Sequence, residues 1–233
     1  RLLSYTSRSS LLSVVAVSLE NAAVAAGAPT IVLTADPITF TSFEAGRLAV
    51  VVNANDLAVR GARPRYLLAV GLIAPSEATP ARVRELLEQL RRACAELGVA
   101  LVGGHTEVAP GLAHSVIVGT MLGRVEGRPL TTGGLRAGDL VGMTRSAGLE
   151  GTAILLAEHG DRLRSLPGFP TASTVALAEG GHLSVVPEAL AAAACPQVSA
   201  LHDVTEGGVS AALHEMAAAS GLVIEVSRES IPV

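Results

Sequence analysis

Tyr66-Leu67-Leu68-Ala69-Val70-Gly71-Leu72 and Val99-Ala100-Leu101-Val102 are short apolar runs, and between them lies Ser76 to Leu97, SEATPARVRELLEQLRRACAEL. The central segment carries a helix start in Thr79-Pro80, Arg and Glu along one side, and a helix stop in Gly98. The flanking runs are too short for helices and read as strands, the second running into Gly103-Gly104. Strand, helix and strand in that order is the building unit of α/β proteins.

Working outward, Ala45 to Arg60 (AGRLAVVVNANDLAVR) has apolar residues at helical spacing and closes on Gly61. Ile31 to Thr34 reads as a short strand ending in Ala35-Asp36-Pro37, and Ala113 to Val125 as a further strand. The alternation through about residue 125 predicts an α/β or α+β domain. Gly133 to Asp139 (GGLRAGD) is a turn-rich junction, so the domain boundary is expected there, dividing residues 1–132 from 133–233. The second part is expected to hold strands at Leu140–Thr144, Val198–His202 and Gly221–Val226. Helices are expected from Gly151, over Pro187–Cys195 and over Val209–Ser220, with Gly160–Pro170 as a loop. Leu11 to Leu19 imitates a signal peptide, but it leads directly into another β-rich run and reads as a buried strand. Arg1 is no initiator and Ile231-Pro232-Val233 stops abruptly, so further chain is expected at the ends.

The composition narrows the function classes. Of 233 residues, 49% are hydrophobic and 16% charged, which supplies a core and excludes a disordered chain. Aromatics are 2% and the net charge is −4, against a nucleic-acid partner on both counts. No run reaches the roughly 18 apolar residues of a membrane span. Cys94 and Cys195 form no disulfide framework, so a reducing compartment, the cytoplasm, is expected. All 17 basic residues are Arg. Without Lys, a P-loop, a protein-kinase strand lysine and a pyridoxal Schiff base are all excluded.

Four polar clusters punctuate the apolar runs: Thr34 to Thr39 (TADPIT), Asn53 to Asp56 (NAND), Gly103 to Glu107 (GGHTE) and His202 to Gly208 (HDVTEGG). Asp36, Asp56 and Glu107 stand at element ends, where carboxylates from separate segments suit nucleotide-bound Mg²⁺. Asp36 before Pro37 also fits an ordinary turn, and His105 alone fits a structural histidine. Asp56 interrupts an apolar helical pattern, where an unpaired carboxylate is costly. Gly207-Gly208 ahead of a helix offers free amides to an anion, or equally a plain turn.

In this order, TADPIT, NANDLAVRGARP, GGHTEV and HDVTEGG resemble the aminoimidazole-ribonucleotide (AIR) synthetase superfamily, from about Val32 to Val233. Its members include the purine cyclo-ligase, a hydrogenase-maturation protein, thiamine-monophosphate kinase and selenophosphate synthetase. The segment HDVTEGGVSAALHEMAAASG looks most like the hydrogenase-maturation branch. The resemblance implies a two-domain α/β (α+β) fold, a homodimer built through the N-terminal sheets, and ATP held with Mg²⁺ without a P-loop. By that resemblance Asp36 and Asp56 are metal ligands, and Asn21, Asn55, Gly103, Gly104, Thr106, Gly207 and Gly208 bind the nucleotide. It also points to His105, Glu107 and Asp203 as the catalytic set. The family's Gly-x-Asp-Ala-Ala-Val becomes Glu20-Asn21-Ala22-Ala23-Val24 here, so Asn21 replaces an acidic ligand, with no glycine-rich loop before it. The Cys-containing tail of the hydrogenase-maturation branch does not occur in these residues.

Three readings of function stay open. The first is an ATP- and Mg²⁺-dependent enzyme that activates a small-molecule or peptide-tail acceptor, most like the hydrogenase-maturation dehydratase. The second is a small-molecule kinase of the thiamine-phosphate type. The third is a non-catalytic nucleotide- or partner-binding relative, which the Asn21 replacement favours.

Overall fold

The computed structural model describes residues 30–39, 41, 43–169 and 183–233; Asn21 and the run Leu11–Leu19 lie outside the described residues. Four strands form one sheet: β1 (Ile31–Ile38), β2 (Ala62–Ile73), β3 (Ala100–Val108) and β4 (Val116–Val125), in the order β1-β4-β2-β3. β4 is antiparallel to both neighbours, whereas β3 is parallel to β2. That parallel pair is joined by α2 (Pro80–Leu97), the strand–helix–strand unit expected from the sequence.

α2 forms where it does for local reasons. Thr79 accepts a hydrogen bond from the Arg82 amide, Pro80 opens the first turn, and Gly98 ends the helix at φ 66°. Leu86, Leu90, Ala93 and Cys94 recur at helical spacing and are its buried face.

The sheet obeys the two-residue alternation of strands. Leu67, Ala69, Gly71 and Ile73 of β2 and Ile117, Met121 and Val125 of β4 point inward, with Val32 and Ile38 of β1. Ile31, Leu33, Tyr66 and Leu68 share the other face and are exposed. Against the inner face lies α1 (Ala45–Ala58), where Leu48, Ala49, Val50, Ala54 and Leu57 are wholly or almost wholly buried. A Cβ on Gly119 of β4 would stand 2.5 Å from Asn53 Nδ2 and 2.9 Å from the Ala49 carbonyl. Only a residue without a side chain lets β4 lie this close to α1.

Beyond β4 come α3 (Leu149–Arg164), with non-helical backbone at His159, α4 (Val186–Ala193) and α5 (Gly208–Ser220). The strands expected at Leu140–Thr144, Val198–His202 and Gly221–Val226 are irregular segments instead. A strand needs a ladder, and none forms among the described residues of this half; Leu140 and Val223 stand 97% and 93% exposed. α3 also runs through part of the expected loop at Gly160–Pro170. β1 continues through Asp36-Pro37 to Ile38 instead of turning there; Pro37 is tolerated because β1 is an edge strand.

Side chains tie the two halves together: Thr41 donates to Glu158 at 2.6 Å, Asn55 Nδ2 to the Leu183 carbonyl at 3.0 Å, and Arg128 to the Val198 carbonyl. Among the described residues, no helix is long and apolar enough to cross a membrane.

Candidate functional site

Asp36 projects from the inner face of β1 and Asp56 from the last turn of α1, and Thr34 stands between them. The Thr34 hydroxyl lies 2.6 Å from Asp56 Oδ2 and 3.1 Å from Asp36 Oδ2. Two residues apart on one strand, Thr34 and Asp36 share a face, which is why a single hydroxyl serves both carboxyl groups. Asn53 braces the pair from one helical turn before Asp56. Its Oδ1 accepts from the Asp36 amide at 3.2 Å, and its Nδ2 donates to the Ala49 carbonyl at 2.8 Å. Asn53 is fully buried, so these bonds satisfy a side chain that water cannot reach.

The surroundings of the pair favour a proton on Asp56. Asp56 is pushed up to about 9, first by burial, then by its hydrogen bond to Asp36 and the charges of Asp203 and Asp36; the Thr34 bond works the other way. Asp203 therefore belongs to the same neighbourhood, although it lies in the other half of the chain. Asp36, Asp56 and Asp203 are the three expected site residues that the fold brings together.

His202 precedes Asp203 and is nearly as buried, at 12% exposure for its side chain against 11%. Its Nε2 lies 2.8 Å from Glu215 Oε2 on α5, and its Nδ1 3.5 Å from Asp203 Oδ1. The Asp203 carboxylate raises the His202 pKa, burial opposes this, and Glu215 adds to the rise. Gly207 and Gly208 follow at φ 80° and 65°, Gly207 capping the start of α5. A Cβ on Gly207 would meet that of Ala211 at 2.5 Å, while a Cβ on Gly208 would point into open space. Glu206 in this turn raises the pKa of Glu150, in the first turn of α3, after the larger effect of burial. The starts of α3 and α5 thus approach each other.

Other expected residues lie elsewhere. Asn55 is one position from Asp56, about 100° round the helix, and faces α4 instead of β1. Its Oδ1 accepts from the Val185 amide at 2.8 Å while its Nδ2 donates to Leu183, so both ends of the amide are engaged by backbone. Gly103, Gly104, His105, Thr106 and Glu107 all lie within β3, at the opposite edge of the sheet from β1. The register aligns Asp36 with Gly119, Gly119 with Ala69, and Ala69 with Gly104. Three strand spacings of ~4.8 Å separate these edges by about 14 Å. Thr106 packs towards the inner face near Gly71, so His105 and Glu107, 3.3 Å apart, point to the outer face. The expectation that His105 or Glu107 joins Asp36 and Asp56 within one chain is not met.

Sequence reading passed over the supporting shell of Thr34, Asn53, His202 and Glu215. A signal was present: Thr34, Asn53 and His202 sit inside the polar clusters, and Glu215 inside HDVTEGGVSAALHEMAAASG. Among the described residues, no three His, Cys, Asp or Glu side chains converge as a ready-made metal site. The Asp36–Asp56 pair nevertheless suits Mg²⁺: it offers hard oxygens and leaves most of the coordination shell to phosphate and water.

Residues 16–125 match the family model for the AIR synthase related protein N-terminal domain, and residues 136–233 match its C-terminal domain. A putative hydrogenase expression/formation protein, MJ0676 of Methanocaldococcus jannaschii, is 30% identical over 220 residues, 92% of this chain and 62% of the relative. Carbamoyl dehydratase HypE of Escherichia coli K12 is 34% identical over 211 residues, 85% of this chain and 56% of the relative. The chain thus spans about three fifths of the length of these relatives. A crystal structure of the hydrogenase maturation protein HypE in complex with ATP matches with a TM-score of 0.71 at 25% identity, covering 87% of this chain and 60% of that one. Thiamine monophosphate kinase from Aquifex aeolicus shares the fold, with a TM-score of 0.69 at 20% identity over 91% of this chain and 75% of that one. The mixed α/β, two-domain architecture and the resemblance to the hydrogenase-maturation branch are both borne out.

Proposed function

The chain belongs to the AIR synthase related family, and from that premise we propose that it binds ATP with Mg²⁺ and activates a poor leaving oxygen on an acceptor by phosphoryl transfer. The observation that carries this reading is the Asp36–Asp56 pair under Thr34, with the Asp203 charge beside it. Carboxyl groups drawn this close need a proton or a cation between them, and a phosphate-bound Mg²⁺ is a cation of the required charge and hardness.

In this reading Asp36 and Asp56 hold the metal, and Asn53 and Thr34 keep both carboxyl groups aimed at it. Bound together, ATP and Mg²⁺ supply the transferable phosphoryl group and the charge neutralisation that such transfer requires. Asp203 approaches the pair from the second half, and the amides that open α5 after Gly207 take part of the phosphate charge. The relatives named carbamoyl dehydratase make a carbamoyl group the acceptor class proposed here. Transfer of the γ-phosphoryl group to a carbamoyl oxygen releases ADP. The C–O bond then breaks with inorganic phosphate leaving, the nitrogen gives up its two protons, and the carbamoyl group has lost the elements of water overall.

The outer sheet face supports a homodimer. Ile31, Leu33, Tyr66 and Leu68 form an exposed apolar stripe there, and a second copy of this chain is the proposed cover. His105 and Glu107 point to this same face, so their catalytic role is proposed for the dimer, not within one chain.

Calorimetric titration with ATP, in Mg²⁺ and then in EDTA, tests the reading, followed by hydrolysis assays with a carbamoylated acceptor. The expected result is Mg²⁺-dependent binding that is lost in Asp36→Asn. Tight binding that ignored both the metal and this substitution would overturn it.

A further inference from the structure

His202 is the only charged or chargeable side chain in contact with Asp203 among the described hydrogen bonds and ion pairs. One ring nitrogen is anchored, with Nε2 at 2.8 Å from Glu215. The other is buried, has no hydrogen-bond partner, and stops 3.5 Å short of Asp203 Oδ1. A buried ring nitrogen left without a partner is costly, and hydrogen bonds of catalytic groups are often long before ligand binds. Glu215 lies on α5, the helix opened by Gly207-Gly208, so the imidazole links that helix to the carboxylate whose charge acts on Asp56.

We propose that His202 is a positioning residue: held by Glu215, its Nδ1–H closes on Asp203 and fixes that carboxylate against the Asp36–Asp56 pair. This inference rests on reading that pair as the ATP site. His202 makes no contact with phosphate in this scheme. It sets the direction of Asp203 and couples it to the start of α5, so that Asp203 and the α5 amides present themselves together.

The test compares His202→Ala, His202→Asn and His202→Gln in the intact protein. The Asn amide nitrogen takes the place of Nδ1 and reaches Asp203, whereas the Gln amide takes the place of Nε2 and reaches Glu215 only. Hydrolysis of ATP is measured with Mg²⁺, and the Asp203 carboxyl ¹³C resonance is followed without nucleotide. In Ala, kcat is expected to fall about tenfold to a hundredfold while KM for ATP stays within about twofold, since misaimed groups lose rate more than binding. Asn should recover part of that loss and Gln none. The Asp203 resonance should shift or broaden in Ala and Gln and return towards its original position in Asn. Equal recovery by Gln, or an Asp203 resonance that ignores all three changes, would overturn the proposal. A wild-type protein that neither binds nor hydrolyses ATP would defeat the ATP reading instead, and the resonance alone would then decide on His202. Should Ala fail to fold, the contrast between Asn and Gln carries the same decision.

Discussion

Asn55 and Val185, 130 residues apart, are joined by a 2.8 Å hydrogen bond from the Val185 amide to the Asn55 side-chain oxygen. With the bond to Leu183, this makes Asn55 the clasp between α1 and the start of α4. Asn55→Ala would leave a half-buried amide and carbonyl without partners, at a cost of about 1–3 kcal/mol. Urea denaturation should show that loss. If stability were unchanged while ATP affinity collapsed, Asn55 would be a nucleotide ligand and not a clasp.

The apolar outer face yields a second expectation. Leu68 is 41% exposed at the β2 end of the stripe, and an arginine there would be desolvated by a second copy. Leu68→Arg should leave the fold intact and turn a dimer into a monomer in light scattering. A wild-type chain already monomeric at micromolar concentration would remove the dimer from the reading.

Gly208 offers a probe of the α5 start that spares the core. Its φ of 65° suits Asn better than most residues, and a Cβ there meets nothing within 4 Å. Gly208→Asn should therefore cost about 1 kcal/mol or less in stability, and yet crowd the amides proposed for phosphate. ATP titration is expected to show at least about a tenfold loss of affinity. Unchanged affinity would assign Gly207-Gly208 to the turn alone.

What the sequence displays and what it conceals divides along physical lines. α2 is legible because its cap, its proline and its glycine stop are all local signals. The strand alternation of β2 and β4 is equally local. Asp56 stands out as a carboxyl group in an apolar helix, and it proves to be the half-buried one whose pKa is raised. Lateral placement is not local: period-two alternation identifies β3 as a strand but does not say that it ends up three strands from Asp36. Motif order carries no face either, and His105 and Glu107 fall on the side of the sheet away from Asp56. The irregular segments near Leu140 and Val223 have strand-like composition, but a strand is a paired object and composition does not supply the partner.

Gly119 tests how the scaffold sets the acid pair. A methyl group there would collide with Asn53 Nδ2 and the Ala49 carbonyl, and Asn53 is what holds the Asp36 amide. Gly119→Ala should therefore cost about 1–3 kcal/mol and also weaken Mg²⁺-dependent binding, although residue 119 touches no ligand. Loss of stability with metal-dependent binding intact would show that Asp36 does not depend on this packing.

The proton on Asp56 gives the pH dependence its sign. Folded, the group holds its proton up to about 9; unfolded, it returns towards the ordinary value of 3.8. Between those values the folded chain binds a proton that the unfolded chain releases, so this group's contribution to stability falls steadily as pH rises. The contribution is fully present below about pH 4 and gone above about pH 9. Asp56→Asn keeps the shape, can still accept from Thr34 and donate to Asp36, and has no proton to lose. The variant should match the wild type near pH 4 and become progressively more stable than it towards pH 9. Denaturant midpoints measured for both proteins at several pH values across that window provide the check. Parallel curves would mean that Asp56 is ionised in the folded protein and that the pair is balanced by some other group. Mg²⁺ with ATP should act on the wild type as the Asn substitution does, because a cation between the carboxyl groups displaces the same proton. Calorimetry in buffers of different ionisation heat should accordingly register proton release when Mg²⁺ and ATP bind the wild type below about pH 9.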